Sequence, residues 1–173
     1  MTYNMDSANR HMLEDISESL LEILSVEGKV INEDVFEDVV RKMNELPKIK
    51  VKRGAYDSLT IKTNGEAIIT YENRKNNIFN SIKYAFDALC YALLHNKENI
   101  NEDIYVSKGT IMRDEYSSYL SRVTILPNDI YKEHLIKYST NDGYLDIYGM
   151  AKKLKVKDSL VVKRGNDLGI WRR

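Results

Sequence analysis

The apolar period of this chain changes at Pro47, and that change limits the fold more than any other feature. Before it, apolar residues recur at helical spacing. Met12, Leu13, Ile16, Leu20, Ile23 and Leu24 mark a helix over residues 7–27, with Asp6 or Ser7 as its cap and Gly28 as its end. Val35, Phe36, Val39, Val40, Met43 and Leu46 mark a second, capped by Asn32 and closed by Pro47. Glu33 and Asp34 in its first turn and Arg41 and Lys42 near its end suit the helix dipole. After Pro47 the period becomes two, in Ile49–Lys52, Leu59–Lys62 and Ala67–Tyr71. Asn64-Gly65 lies between the last two and predicts a tight hairpin, so the expectation is a small antiparallel sheet of three strands.

The helical period returns at Asn77 and runs to His95, with Ile78, Phe79, Ile82, Ala85, Phe86, Leu89, Leu93 and Leu94 in a stripe wide enough for a buried helix. A polar stretch, Asn96 to Glu102, leads to a short strand at Ile104-Tyr105-Val106. A helix is predicted over Thr110–Thr124, a short one after Pro127, and two more over Leu145–Leu154 and Lys157–Asp167. This order predicts an α+β fold with one core. Residues 1–140 form the main domain and 141–173 a small basic helical subdomain that resembles a helix-turn-helix.

Charge and cysteine content remove several function classes. The 26 basic and 26 acidic side chains of the 173 residues balance, so no global field calls for nucleic acid or a membrane. The balance is uneven: Glu14, Asp15, Glu18, Glu22, Glu27, Glu33, Asp34, Glu37 and Asp38 crowd the front. Lys152, Lys153, Lys155, Lys163, Arg164, Arg172 and Arg173 crowd the tail and are the candidates for phosphate contact. Cys90 is the single cysteine and reads as a packing residue. The polar N-terminus has no signal-peptide core, and no apolar run approaches the ~18 residues of a membrane span, so the expected location is cytoplasmic.

Three strings, in order, resemble the ImmA/IrrE family of bacterial and phage zinc metallopeptidases. Tyr91-Ala92-Leu93-Leu94-His95 falls on the end of that family's metal helix, RFTxAHELGHYLLH. Asp114 to Leu120, continuing to Ile125-Leu126-Pro127, falls on its second motif, ExxANxFAAxLLMP. Met150 to Val156, Val161 to Arg164, and Leu168-Gly169-Ile170 fall on a C-terminal motif of the type LAxxFxVSxxAVxxRLxxLGL. The resemblance covers residues 12–171 and implies a zincin-like central helix.

The chemistry of that helix is replaced. The family's two His ligands fall on Asp87 and Tyr91, its general-base Glu on Ala88, and its third ligand on Asp114, or on Glu115 one register away. A zincin helix holds zinc with His at i and i+4 and activates water with the intervening Glu. Alanine cannot polarise water, and a neutral phenol is a poor ligand. Oxygen donors such as Asp87 with Asp114 or Glu115 suit Mg²⁺ or Ca²⁺ better than zinc. Asp87 and Tyr91 share a face and are expected to hydrogen-bond in a vestigial cleft. His95 would end the helix as a non-ligand, with His11 and His134 at the surface.

No catalytic residue, metal or cofactor is expected. The resemblance implies a pseudoprotease from a phage, prophage or plasmid that sequesters or blocks a protein partner, such as a repressor or a host defence nuclease (anti-CRISPR-like). Tyr116, Tyr119, Tyr131, Tyr138, Tyr144 and Tyr148 are the candidate contact residues, because tyrosine is favoured at interfaces. The loops at Arg53-Gly54 and Glu72–Asn77 border the cleft in the resembling fold. Two alternatives stay open: a DNA-associated regulator using the basic C-terminal helices, and a metallopeptidase with unconventional ligands.

Overall fold

The computed structural model describes residues 5–95 and 100–170. Asp6 starts helix α1 (Ser7–Ile23) by accepting the Asn9 N–H at 2.8 Å. The helix stops short of Gly28 because Ser25 takes the left-handed conformation (φ 57°) that glycine was expected to supply. The N–H groups of Ser25 and Val26 then return to the carbonyls of Glu22 and Leu21, which closes the helix end. Asn32 does not cap the second helix. Its side chain accepts the Asp34 N–H and donates to the Leu154 carbonyl, and a turn separates it from α2 (Phe36–Met43).

The strands are β1 (Ile49–Gly54), β2 (Ser58–Ile61), β3 (Ala67–Glu72) and β4 (Ile104–Val106), in spatial order β1-β3-β2-β4. The sheet is therefore mixed and four-stranded, not a three-stranded antiparallel one: β1 runs parallel to β3, and β2 antiparallel to both β3 and β4. Period-two patterning fixes which residues face the core but not strand direction. Between β2 and β3 only Gly65 of the Asn64-Gly65 pair has positive φ (80°). Lys62 and Glu66 pair at the base, so the hairpin is a longer loop with glycine in the left-handed position.

Three residues carry the chain from β1 over the end of β3 into β2, and Asp57 holds that crossing. Its carboxylate accepts the Glu72 N–H at 2.9 Å, Arg74 Nη2 at 2.7 Å and Lys108 Nζ at 2.9 Å. Burial pushes the Asp57 carboxyl upward, but the Arg74 bond, the backbone N–H and Lys108 outweigh it and hold it below the ordinary carboxylate value. A depressed folded-state value means stability that is present above the unfolded value and lost as pH falls through the folded one. Asp57→Asn is expected to lower stability near neutral pH and to flatten its acid limb below about pH 4. Urea titrations of both proteins at several pH values check this, and parallel acid limbs would refute it.

On the outer edge of β1, the carboxamide of Asn44 pairs with Val51 in both directions: Oδ1 accepts the Val51 N–H at 2.8 Å, and Nδ2 donates to the Val51 carbonyl at 3.0 Å. On the inner face, Ile49, Val51, Leu59, Ile61, Ala67, Ile69 and Tyr71 are buried. Helix α3 (Ile78–Leu94) lies across that face, capped by Asn77 and ended by His95, as its apolar stripe predicted. The single helix expected over Thr110–Thr124 is two helices, α4 (Lys108–Arg113) and α5 (Glu115–Ile125). Asp114 breaks it by taking an extended conformation and accepting the Ser117 N–H at 2.8 Å, so a side chain competes with the helical ladder.

Helix α6 (Asn128–Tyr138) follows Pro127, and a Ser139–Leu145 bridge leads to α7 (Ile147–Leu154) and α8 (Asp158–Asp167). Met150, Ala151, Leu154, Leu160 and Val161 of these last helices join the same apolar cluster as the sheet and α3. A second cluster joins Leu13, Cys90, Tyr119, Leu120 and Val123, where α1, α3 and α5 meet. Cys90 is fully buried there, and burial followed by the Asp87 charge pushes its thiol well above the usual range. The architecture is α+β. No helix among the described residues is long and apolar enough to cross a membrane.

Candidate functional site: the cleft over the central helix

Helix α3 carries its two charged residues along one line, where Asn80, Lys83 and Asp87 follow Phe79. That line forms the floor of a cleft of about 540 Å³. Its walls are Met5 and Arg10 before and within α1, Met112 of α4, Glu115, Ser118, Tyr119, Ser121, Arg122 and Ile125 of α5, and Lys157, Ser159, Leu160, Lys163 and Asp167 at α8. A smaller recess of about 230 Å³ adjoins it through Asn80, Lys83 and Asp87 and reaches Arg74, Tyr84 and Lys108.

The vestigial positions are not gathered as the resemblance implied. Asp87 is buried at 4 % exposure, and its Oδ2 receives the ammonium of Lys83, one turn back on the same helix, rather than the Tyr91 phenol. Tyr91 instead packs its ring on that of His95, with centroids 4.4 Å apart. Ala88 is fully buried. Asp114 is held by the Ser117 N–H and by His95 Nε2 at 2.7 Å, whereas Glu115, the next residue, lines the cleft with Asp87. Burial raises the Asp114 carboxyl, but the Ser117 N–H and His95 outweigh it and hold it below the ordinary value.

A zinc ion fits this donor set poorly. One carboxylate already carries an ammonium, one caps a helix, and the Tyr91 ring packs on His95. Among the described residues no group of three or more His, Cys, Asp and Glu is placed to hold a metal.

The predicted basic face is dispersed. Lys152 and Lys153 are exposed on α7, but Lys155 pairs with Asp34 at 2.8 Å. Lys163 turns into the cleft. Arg164 is fully buried, so it is unavailable to phosphate. Its Nε donates to the Leu126 carbonyl at 3.0 Å, Nη1 to Asp167 at 3.0 Å and Nη2 to Asn128 Oδ1. Arg172 and Arg173 lie outside the described residues.

The tyrosines separate in the same way. Tyr131 is buried with its hydroxyl on the Val161 carbonyl at 3.0 Å. Tyr119 is buried with its hydroxyl on Glu14 at 2.8 Å; burial, and then that bond, push its phenol up to about 12. Neither can contact a partner. Tyr116 accepts from Asn9 Nδ2, and Tyr138 stacks on His134. Tyr144 and Tyr148 are 75 % and 74 % exposed. His134 is half-buried with Nδ1 on the Ile130 carbonyl, and His11 is exposed beside Glu14.

Reading the sequence alone passed over Arg10, Lys83, Arg122, Lys157 and Asp167 as a group. The one available signal was the polar line Asn80, Lys83, Asp87, which carries both charged residues of the helix. Neither the protein-family models nor the curated proteins contain a match to this chain.

Proposed function

We propose that this chain is a non-catalytic, protein-binding regulator of a phage, prophage or plasmid, built on an ImmA/IrrE-like frame without the metal. It acts by sequestering or blocking a partner such as a repressor or a host defence nuclease. The observation that carries the binding half is a group of large apolar side chains left in water. Ile136, Tyr144 and Tyr148 are each about three-quarters exposed and lie within the α6–bridge–α7 segment. Large apolar groups exposed along one segment are candidates for contact, and tyrosine suits them because its hydroxyl tolerates both water and contact. The Lys83–Asp87 pair supports the non-catalytic half, because an ammonium stands on the carboxylate that a metal would need.

Two measurements test the two halves separately. Metal analysis of the purified protein is expected to find no tightly held zinc, and one equivalent per chain would overturn the pseudoprotease reading. Affinity purification from a host carrying the element is expected to recover one defined partner with the parent and much less with Tyr144→Ser/Tyr148→Ser. Equal recovery by both would remove this surface from the proposal.

A further inference from the structure

Five cations reach the cleft (Arg10, Lys83, Arg122, Lys157 and Lys163), against the carboxylates of Asp87, Glu115 and Asp167. The carboxylates are already in use or at the surface. Asp87 carries Lys83; Asp167 is shared by Arg122 at 2.8 Å and the buried Arg164 at 3.0 Å; and Glu115 is exposed. Lys157 donates to the neutral carboxamide of Asn80 and lies over the Phe79 ring, and it meets no carboxylate among the described residues. Among the described residues Lys163 has no hydrogen bond or ion pair, and burial followed by repulsion from Lys83 and Arg122 lowers its ammonium below the ordinary lysine value. Like charges held together in a concave site favour an anion between them.

The hydrogen-bond inventory of the same walls points the same way. Ser121 is 1 % exposed and its hydroxyl has no hydrogen-bond partner among the described residues, and the buried Nε of Arg10 has none among them either. Buried donors left empty are rare and usually answer to something outside the chain. Ser159 and Leu160 at the start of α8 also line the cleft, but their N–H groups are already given to Asp158 Oδ1 and to the Lys157 carbonyl, so the side chains carry the recognition. Lysines beside a buried hydroxyl match a tetrahedral oxyanion.

We propose that this cleft binds a phosphate group carried by a small molecule. Lys157 and Lys163 neutralise it, and Ser121 donates to its oxygens. A phosphate monoester carries about −1.5 to −2 charge at neutral pH, which matches the surplus of two cations over carboxylates. The enclosed volume takes one small molecule, whereas a duplex would need a continuous basic face. The site is separate from Ile136, Tyr144 and Tyr148, so it stands whether or not a protein docks there.

Calorimetric titration and thermal shift of the full chain, at constant ionic strength, test it with inorganic phosphate, pyrophosphate, ADP, adenosine and succinate. The expected result is saturable binding of pyrophosphate and ADP, with no binding of adenosine or succinate. Lys163→Gln removes one cation from the cleft without breaking a hydrogen bond or ion pair among the described residues; it is expected to weaken binding about tenfold, as for loss of one charge-assisted bond, while leaving the melting temperature of the free protein in place. Ser121→Ala is expected to weaken binding without destabilising the fold. Tighter binding of ADP than of pyrophosphate assigns the site to an organic phosphate, and the reverse to free diphosphate. The proposal is overturned by the absence of saturable binding of any phosphate probe, by equal binding of succinate, or by binding indifferent to Lys163→Gln.

Discussion

Replacing Ala88 with glutamate is expected to destabilise the protein by on the order of 4 kcal/mol or more. Ala88 is fully buried among the apolar side chains of the main core, so the new carboxylate has neither room nor a partner. It would either lose its hydration or take up a proton, which raises its folded-state value above the ordinary carboxylate range. The sign of the pH dependence follows from that. A raised value means the folded protein keeps a proton that the unfolded chain releases, so stability falls as pH rises above the unfolded value of about 4.3. Urea unfolding of Ala88→Glu at acid and neutral pH measures both effects. The result matters for the family resemblance, because in a zincin helix this position carries the general base and faces the cleft. A variant as stable as the parent would mean that position 88 opens on the cleft, and that the frame is closer to a working peptidase than its packing indicates.

Arg164→Ala is the second large effect, expected at roughly 3–5 kcal/mol. The guanidinium is fully buried and serves three acceptors on three segments: the Leu126 carbonyl, Asn128 and Asp167. Truncation leaves the first without its donor and Asp167 with Arg122 alone. Lysine should restore little, because a single ammonium cannot match a planar fork that reaches three directions. Chemical denaturation of Arg164→Ala, Arg164→Lys, Asp167→Asn and Arg164→Ala/Asp167→Asn checks this. The double variant should lose less than the sum of its parts, and a loss below about 1 kcal/mol in Arg164→Ala would refute the assignment.

These two positions show which parts of the molecule were legible beforehand. Helix α3 was read to within a residue of its ends, because a wide apolar stripe between Asn77 and His95 leaves few alternatives. The α4–α5 break was not, since Asp114 looks like an ordinary exposed helical residue until its side chain is seen to accept the Ser117 N–H. Strand direction was hidden for a similar reason. Alternation places Ile49 and Val51 inward, but the parallel pairing of β1 depends on Asp57 meeting Arg74 and Lys108 from distant segments. Within the candidate site, Asp87 was singled out from the sequence, whereas Asn80 and Lys83 on the same line were not. Lys163 and Arg164 did not separate: adjacent and alike in the sequence, one points into the cleft and the other into the core. Tyr131 and Tyr148 differ in the same way, through neighbours that only the folded chain supplies.

The pairing of Asn44 with Val51 has a consequence for solubility. A sheet that is not closed ends in two strands with free hydrogen-bonding groups, which can template the same strand of another molecule. On one side, a single carboxamide occupies both outward-facing groups of Val51, while Lys50, Lys52 and Arg53 put charge on the rest of that edge. On the other side, β4 is only three residues long, too short to recruit a second chain in register. Both margins of the sheet are thus poor templates for self-association, so the molecule can leave Tyr144, Tyr148 and Ile136 in water without also offering an edge on which aggregates could grow.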